Sequence, residues 1–162
     1  MASGASRNFV GVGLLALAVA AVGLVSPAEA AGPYSFYSVS PCRVVDTRWA
    51  AGPTGGPALN ANTSRDFPIL GACGIPATAK AVVFNTTIAS PTDYGDLRLY
   101  PAGTTMPLAS VINWVTSDSA LANGAIVPVG LSGSNHLSVM CDMPAGSTGK
   151  VHLILDVTGY FE

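Results

Sequence analysis

Lys150-Val151-His152-Leu153-Ile154-Leu155-Asp156-Val157-Thr158-Gly159-Tyr160-Phe161 is the stretch that decides the fold. Successive side chains of an extended chain point to opposite faces, so Val151, Leu153, Leu155 and Val157 share one side. His152, Asp156, Thr158 and Tyr160 share the other, with Ile154 as the exception among them. A helix would mix these two sets; a strand with one face in a core separates them.

The same punctuation recurs along the chain. Apolar runs rich in Val, Ile, Tyr, Phe and Thr are each bounded by Gly, Pro, Asn, Asp or Ser, as strands between turns are. The spacing predicts strands over Tyr34 to Val39, Arg43 to Arg48, Thr63 to Ile69, Lys80 to Ala89 and Asp96 to Tyr100. Further strands are predicted over Ser110 to Val115, Ala125 to Val129, His136 to Cys141 and Lys150 to Phe161. Lys80 to Ala89 is apolar on both faces near Val82 to Phe84, which marks a central strand. Trp49 to Asn62 holds three Gly and two Pro and reads as a long loop, while Pro76 to Ala81 fits a single turn of helix. No segment carries a capped helical stripe. The expectation is an all-β domain, an antiparallel two-sheet β-sandwich of jelly-roll or Ig-like kind, its sheets packed about 10 Å apart.

Ahead of it, Met1 to Ala30 reads as a secretory leader, a signal-peptide helix. Arg7 supplies the positive start, Phe9 to Val25 the apolar run, and Ala28-Glu29-Ala30 the small residues of a cleavage site. Those apolar residues are rich in Ala and Gly and short for a bilayer core of ~30 Å. Cleavage after Ala30 is therefore expected, with no membrane association afterwards and a secreted, extracellular or cell-surface protein. Of the 162 residues, those from Ala31 to Glu162 then form one β-domain, a size that suits one hydrophobic core. Charged residues are only 10% of the chain, the net charge is -2, and the basic residues do not cluster. That excludes the electrostatic footprint of a nucleic-acid binder.

Export makes the three cysteines readable, because an oxidising compartment permits disulfides. Cys42 follows Pro41 at the mouth of a predicted strand, and Cys73 sits in a Gly-Ala-Cys-Gly turn, positions where loops can meet. A bridge between them would contribute about 3–4 kcal/mol in the chain-entropy account. Cys141 alternates with Leu137 and Val139, which reads as a buried, inert thiol, an intermolecular or alternative bridge being the other reading.

At Pro41-Cys42-Arg43-Val44-Val45-Asp46-Thr47-Arg48 the chain resembles an all-β module of exported proteins from actinobacteria and other environmental bacteria. Gly71-Ala72-Cys73-Gly74-Ile75-Pro76 and Ala81-Val82-Val83-Phe84-Asn85-Thr86-Thr87 continue the resemblance. Gly95 to Pro101, Ser110 to Trp114, Ala122-Asn123 and Asp156-Val157-Thr158-Gly159-Tyr160-Phe161 complete it. Such modules occur alone or appended to cell-surface proteins, some labelled N-acetylmuramoyl-L-alanine amidase. The resemblance implies a cell-envelope setting, brings no catalytic residue set with it, and has Cys42 and Cys73 among its landmarks but not Cys141.

Candidate chemistry is sparse. His152 and Asp156 share a strand face but stand about 13 Å apart at ~3.3 Å per residue. A catalytic zinc needs three protein ligands, and His136 and His152 are the only histidines. No Gly-x-Ser-x-Gly elbow is present. Asp93-Tyr94-Gly95-Asp96 supplies too few oxygens for calcium and reads as a tight turn. Asp46, Arg48 and Asp156 lie among apolar strands and are expected to pair in a structural polar network. Trp49, Tyr94 and Trp114 are the candidate glycan contacts, since sugars stack on amphipathic rings. These features predict a non-catalytic structural or interaction module with no cofactor or metal. Its expected partner is another copy of itself or, alternatively, cell-wall glycan; a cell-wall hydrolase is the third reading.

Overall fold

The computed structural model describes residues 1, 32–130 and 133–162. The expected leader, apart from Met1, lies outside the described residues. Among the described residues there are nine strands and no helix: β1 (Phe36–Asp46), β2 (Leu59–Asn60), β3 (Thr63–Phe67), β4 (Ala81–Ala89), β5 (Gly95–Pro101), β6 (Ile112–Trp114), β7 (Ala120–Pro128), β8 (Leu137–Asp142) and β9 (Lys150–Phe161).

These strands form two antiparallel sheets, ordered β1-β9-β4-β7 and β3-β8-β5-β6, with β2 also pairing with β9. The pairs β1–β9, β3–β8, β4–β7 and β5–β6 nest inside one another. The chain thus doubles back as one long hairpin with its tip at β5–β6. Further pairing of β4 with β9 and of β5 with β8 rolls that hairpin over itself.

Alternation puts the core where the sequence pattern demands. Val151, Leu153, Leu155 and Val157 of β9 are buried, as are Val82, Phe84 and Ile88 of β4. They share one apolar cluster with Phe67, Leu97, Leu137, Val139 and Cys141 from the second sheet. The two sheets therefore have a common interior, as in a β-sandwich. β4 lies between β9 and β7, as its two-sided apolarity predicts. Ile154 is buried too, although it points away from that interior; its cross-strand neighbours are Asp46 and Thr87. Thr86 is the discordant core residue, fully buried with its hydroxyl lacking a partner.

Several expected boundaries change. The two predicted strands on either side of Pro41 are one strand, β1, whose register shifts between Ser38 and Cys42 and again between Arg43 and Val45. A proline is tolerated there because β1 is an edge and the irregularity needs no ladder donor. β7 begins five residues before the expected Ala125, because the β4 ladder carries the weak strand formers Ala120 to Gly124 with it. Ser110 to Val115 shrinks to Ile112–Trp114, and the expected loop from Trp49 to Asn62 contains β2. The turn expected at Pro76 is not helical and holds one bond, Ala79 N–H to Pro76 O, at 3.2 Å.

Candidate functional site

The polar network begins with Asp46, the last residue of β1, whose carboxylate is almost wholly removed from solvent. It accepts hydrogen bonds from Arg48 N at 3.0 Å, Arg48 Nε at 2.9 Å, Arg48 Nη2 at 2.7 Å and Arg43 Nη1 at 3.2 Å. The Arg48 bonds outweigh the cost of burial and hold the carboxyl down to about 2. Arg43 also forks onto Asp156 of β9, Nε to Oδ1 at 2.8 Å and Nη2 to Oδ2 at 3.0 Å. Asp46, Arg48 and Asp156 are thus brought together, and Arg43 is the bridging member that sequence reasoning did not name. Its position opposite Asp156 depends on the β1 irregularities, which no local pattern signals.

This network sets the course of the following loop. Arg48 N–H turns back onto the Asp46 side chain, and Trp49 N–H bonds Asp46 O at 3.0 Å. From the other sheet Arg65 donates to Pro57 O at 2.9 Å, Gly52 O at 2.7 Å and Gly56 O at 3.4 Å. A Cβ at Gly55 would strike Ala50 O, so the loop closes as tightly as it does only with glycine there.

The loop holds Trp49, 47% exposed, at the rim of a cleft of about 430 Å³ that also includes Thr47, Pro57, Asn60, Lys150 and His152. Thr47 Oγ1 accepts Leu153 N–H at 2.9 Å and lies 3.1 Å from His152 Nδ1. The cleft thus combines an aromatic face with an ammonium, an amide and an imidazole, and among the described residues no carboxylate lines it.

A second cleft, of about 360 Å³, is lined by Tyr94, Asp96, Asn113 and Asp142 among others. Tyr94 is 56% exposed. Asp96 and Asp142 both pair with Arg98, the former at 3.1 Å. Asp93 accepts Tyr94 N–H at 2.9 Å and Ser147 Oγ–H at 2.7 Å. Trp114 does not meet the expectation of an exposed ring. It is only 4% exposed, and its indole N–H is spent on Asp93 O at 2.8 Å. Its position on β6 turns it inward against the core.

Cys42 and Cys73 are disulfide-bonded, with Cα atoms 5.6 Å apart. Cys42 lies within β1 rather than at a strand mouth. Cys141 is a free, fully buried thiol, pushed up to about 12 chiefly by desolvation and further by Asp96 and Asp142. His136 is occupied structurally: its Nδ1 accepts the N–H groups of Ile69 and Leu70 at 3.1 and 3.2 Å. Among the described residues no three His, Cys, Asp or Glu gather closely enough to hold a metal ion.

The remaining conspicuous surface is a sheet edge. β7 reads Ala-Leu-Ala-Asn-Gly-Ala-Ile-Val-Pro without a charge, most of it is exposed, and among the described residues only β4 pairs with it. Compared with known proteins, the chain matches no family model, no curated protein and no solved structure.

Proposed function

We propose that this protein is a secreted, non-catalytic interaction module of the cell envelope or an extracellular assembly, and that it acts by contact, principally with other copies of itself. Its resemblance to exported bacterial β-modules supports that setting. The nested strand pairs favour the jelly-roll class over the Ig-like one, because a jelly roll is a long hairpin wound into two sheets. The observation that carries self-association is the unpaired edge of β7, nine residues long and uncharged. Natural edges are ordinarily short or blocked by charge, and an open one recruits another strand. Size-exclusion chromatography with light scattering tests the reading: a mass that rises with concentration is expected, and a strict monomer throughout removes it.

The Trp49 cleft supports a second reading, a carbohydrate or peptidoglycan-binding module. A sugar ring stacks its apolar face on an indole while neighbouring donors orient its hydroxyls. Retention on purified cell walls, lost on Trp49→Ala, is the expected result; no retention by walls or soluble glycans ends this reading. The cell-wall hydrolase reading has less behind it, since His152 and His136 both engage structural partners. Zymography with and without chelator is expected to show no clearing.

A further inference from the structure

We infer that two copies of the chain join edge to edge through β7 in a single antiparallel register whose two-fold axis passes beside Asn123. The inference rests on the self-associating reading and adds the contact strand and its register.

The direction of each backbone group in β7 follows from its flanking bonds. Val129 N–H donates to Lys80 O at 3.0 Å and Ser90 N–H to Ser119 O at 2.8 Å. Between them β4 and β7 pair from Ala81↔Pro128 to Ala89↔Ala120 without a register shift. Antiparallel ladders alternate strictly, so Leu121, Asn123, Ala125 and Val127 turn their N–H and C=O groups to β4. Ala120, Ala122, Gly124 and Ile126 turn theirs to the free edge. Pro128 would be next, but it has no N–H, and the open ladder ends there.

Other edges of the two sheets are defended. β1 carries Arg43 and is broken by Pro41 and two register shifts, β3 carries Arg65 and Asp66, and β6 has three residues. Among the described residues β7 is the edge that is both long and uncharged, so two copies meet along it without like-charge repulsion.

Self-pairing selects the register. With Asn123 opposite Asn123 of the other copy, Ala120 faces Ile126 and Ala122 faces Gly124. The four free N–H and four free C=O groups of each copy then satisfy one another. A two-residue slip toward Ala120 strands Ile126, and a slip toward Pro128 strands Ala120. The same register sets the large side chains against small ones, Ile126 against Ala120 and Leu121 against Ala125, as side-chain packing between adjacent strands requires. The interface is isologous, so it closes on two copies. The β1-β9-β4-β7 sheet then runs without a break into its copy. Thr104, Pro107 and Ala109 line a cleft together with Ile126 and Pro128 beside this edge.

Single cysteines read the register directly. Asn123 sits at a non-hydrogen-bonded pair, where opposed Cα atoms stand about 4.5 Å apart, within disulfide range. Asn123→Cys is expected to give a covalent dimer on mild oxidation, whereas Leu121→Cys, which faces Ala125 of the other copy, gives none. Cys141 is buried and takes no part. Ala122→Pro removes one outward N–H while sparing the β4 ladder, and is expected to weaken association at least tenfold in light scattering. Ala122→Lys does the same by charge should the proline variant fold poorly. An oligomer that neither cross-links at Asn123→Cys nor weakens with either Ala122 variant overturns the β7 register and leaves self-association standing. A strict monomer overturns both.

Discussion

Arg43 and Asp156 face each other across the β1–β9 pair and meet at two points, 2.8 and 3.0 Å long. Both are partly exposed, so the pair is worth no more than about 1 kcal/mol. Asp46 is the buried member of the same network and accepts every donor aimed at it. Chemical denaturation is expected to show Asp46→Asn costing about 2–3 kcal/mol and Asp156→Asn about 1 kcal/mol or less. Equal costs would contradict this division.

Acid titration follows from the same carboxylate. Its folded value, about 2, lies below the ordinary 3.8, so its stabilising effect is complete above about pH 4 and is lost as pH falls toward 2. The amount is on the order of 1–2 kcal/mol. The stability gap between the native protein and Asp46→Asn is expected to be flat above pH 4 and to narrow below it. A gap that stays constant down to pH 2 would refute the linkage.

Thr86→Val is expected to stabilise the protein by about 1 kcal/mol. The buried hydroxyl has no partner, and a methyl of nearly the same size removes its desolvation cost. A lower melting temperature would show that the hydroxyl is satisfied.

Thiol chemistry separates the cysteines. A folded sample at pH 8 is expected not to react with an aromatic disulfide reagent, and a denatured one to release one thiol, that of Cys141. Replacing Cys42 and Cys73 by Ser is expected to cost about 3–4 kcal/mol in denaturant titration. Rapid labelling of the folded protein would contradict the burial of Cys141.

Arg65→Met removes three bonds from the loop that carries Trp49. Proteolysis within residues 50–57 is expected to accelerate several-fold, with a change in Trp49 fluorescence and little change in global melting. Unchanged cleavage would show that the Arg65 bonds do not hold the loop.

How much was legible depends on how local each feature is. β9 and β4 could be read residue by residue, because a half-buried or central strand writes its faces into period-two alternation. β7 could not be read in full: Ala120, Ala122 and Gly124 are weak strand formers, and only their partners on β4 make them extended. Pro41 argued for a break in β1 and instead occupies an edge irregularity. At the candidate sites, Asp46, Arg48 and Asp156 were suggested by charge among apolar residues. Arg43 and Arg65 act across strands and sheets, where no spacing rule reaches. Trp49 was legible as a loop residue and Trp114 as a strand residue, but the alternation around Trp114 is too short to tell which face of the strand its ring takes.

Ser35 and Glu162 are hydrogen-bonded to each other in both directions, at 2.8 and 3.1 Å, where the outermost strands of the rolled hairpin meet. Tension applied to the two ends of the domain therefore peels β1 from β9 one bond after another, a zipper rather than a shear geometry. The first bonds give way under small force. Peeling then reaches Cys42, whose covalent tie to Cys73 passes the load to the connection between β3 and β4.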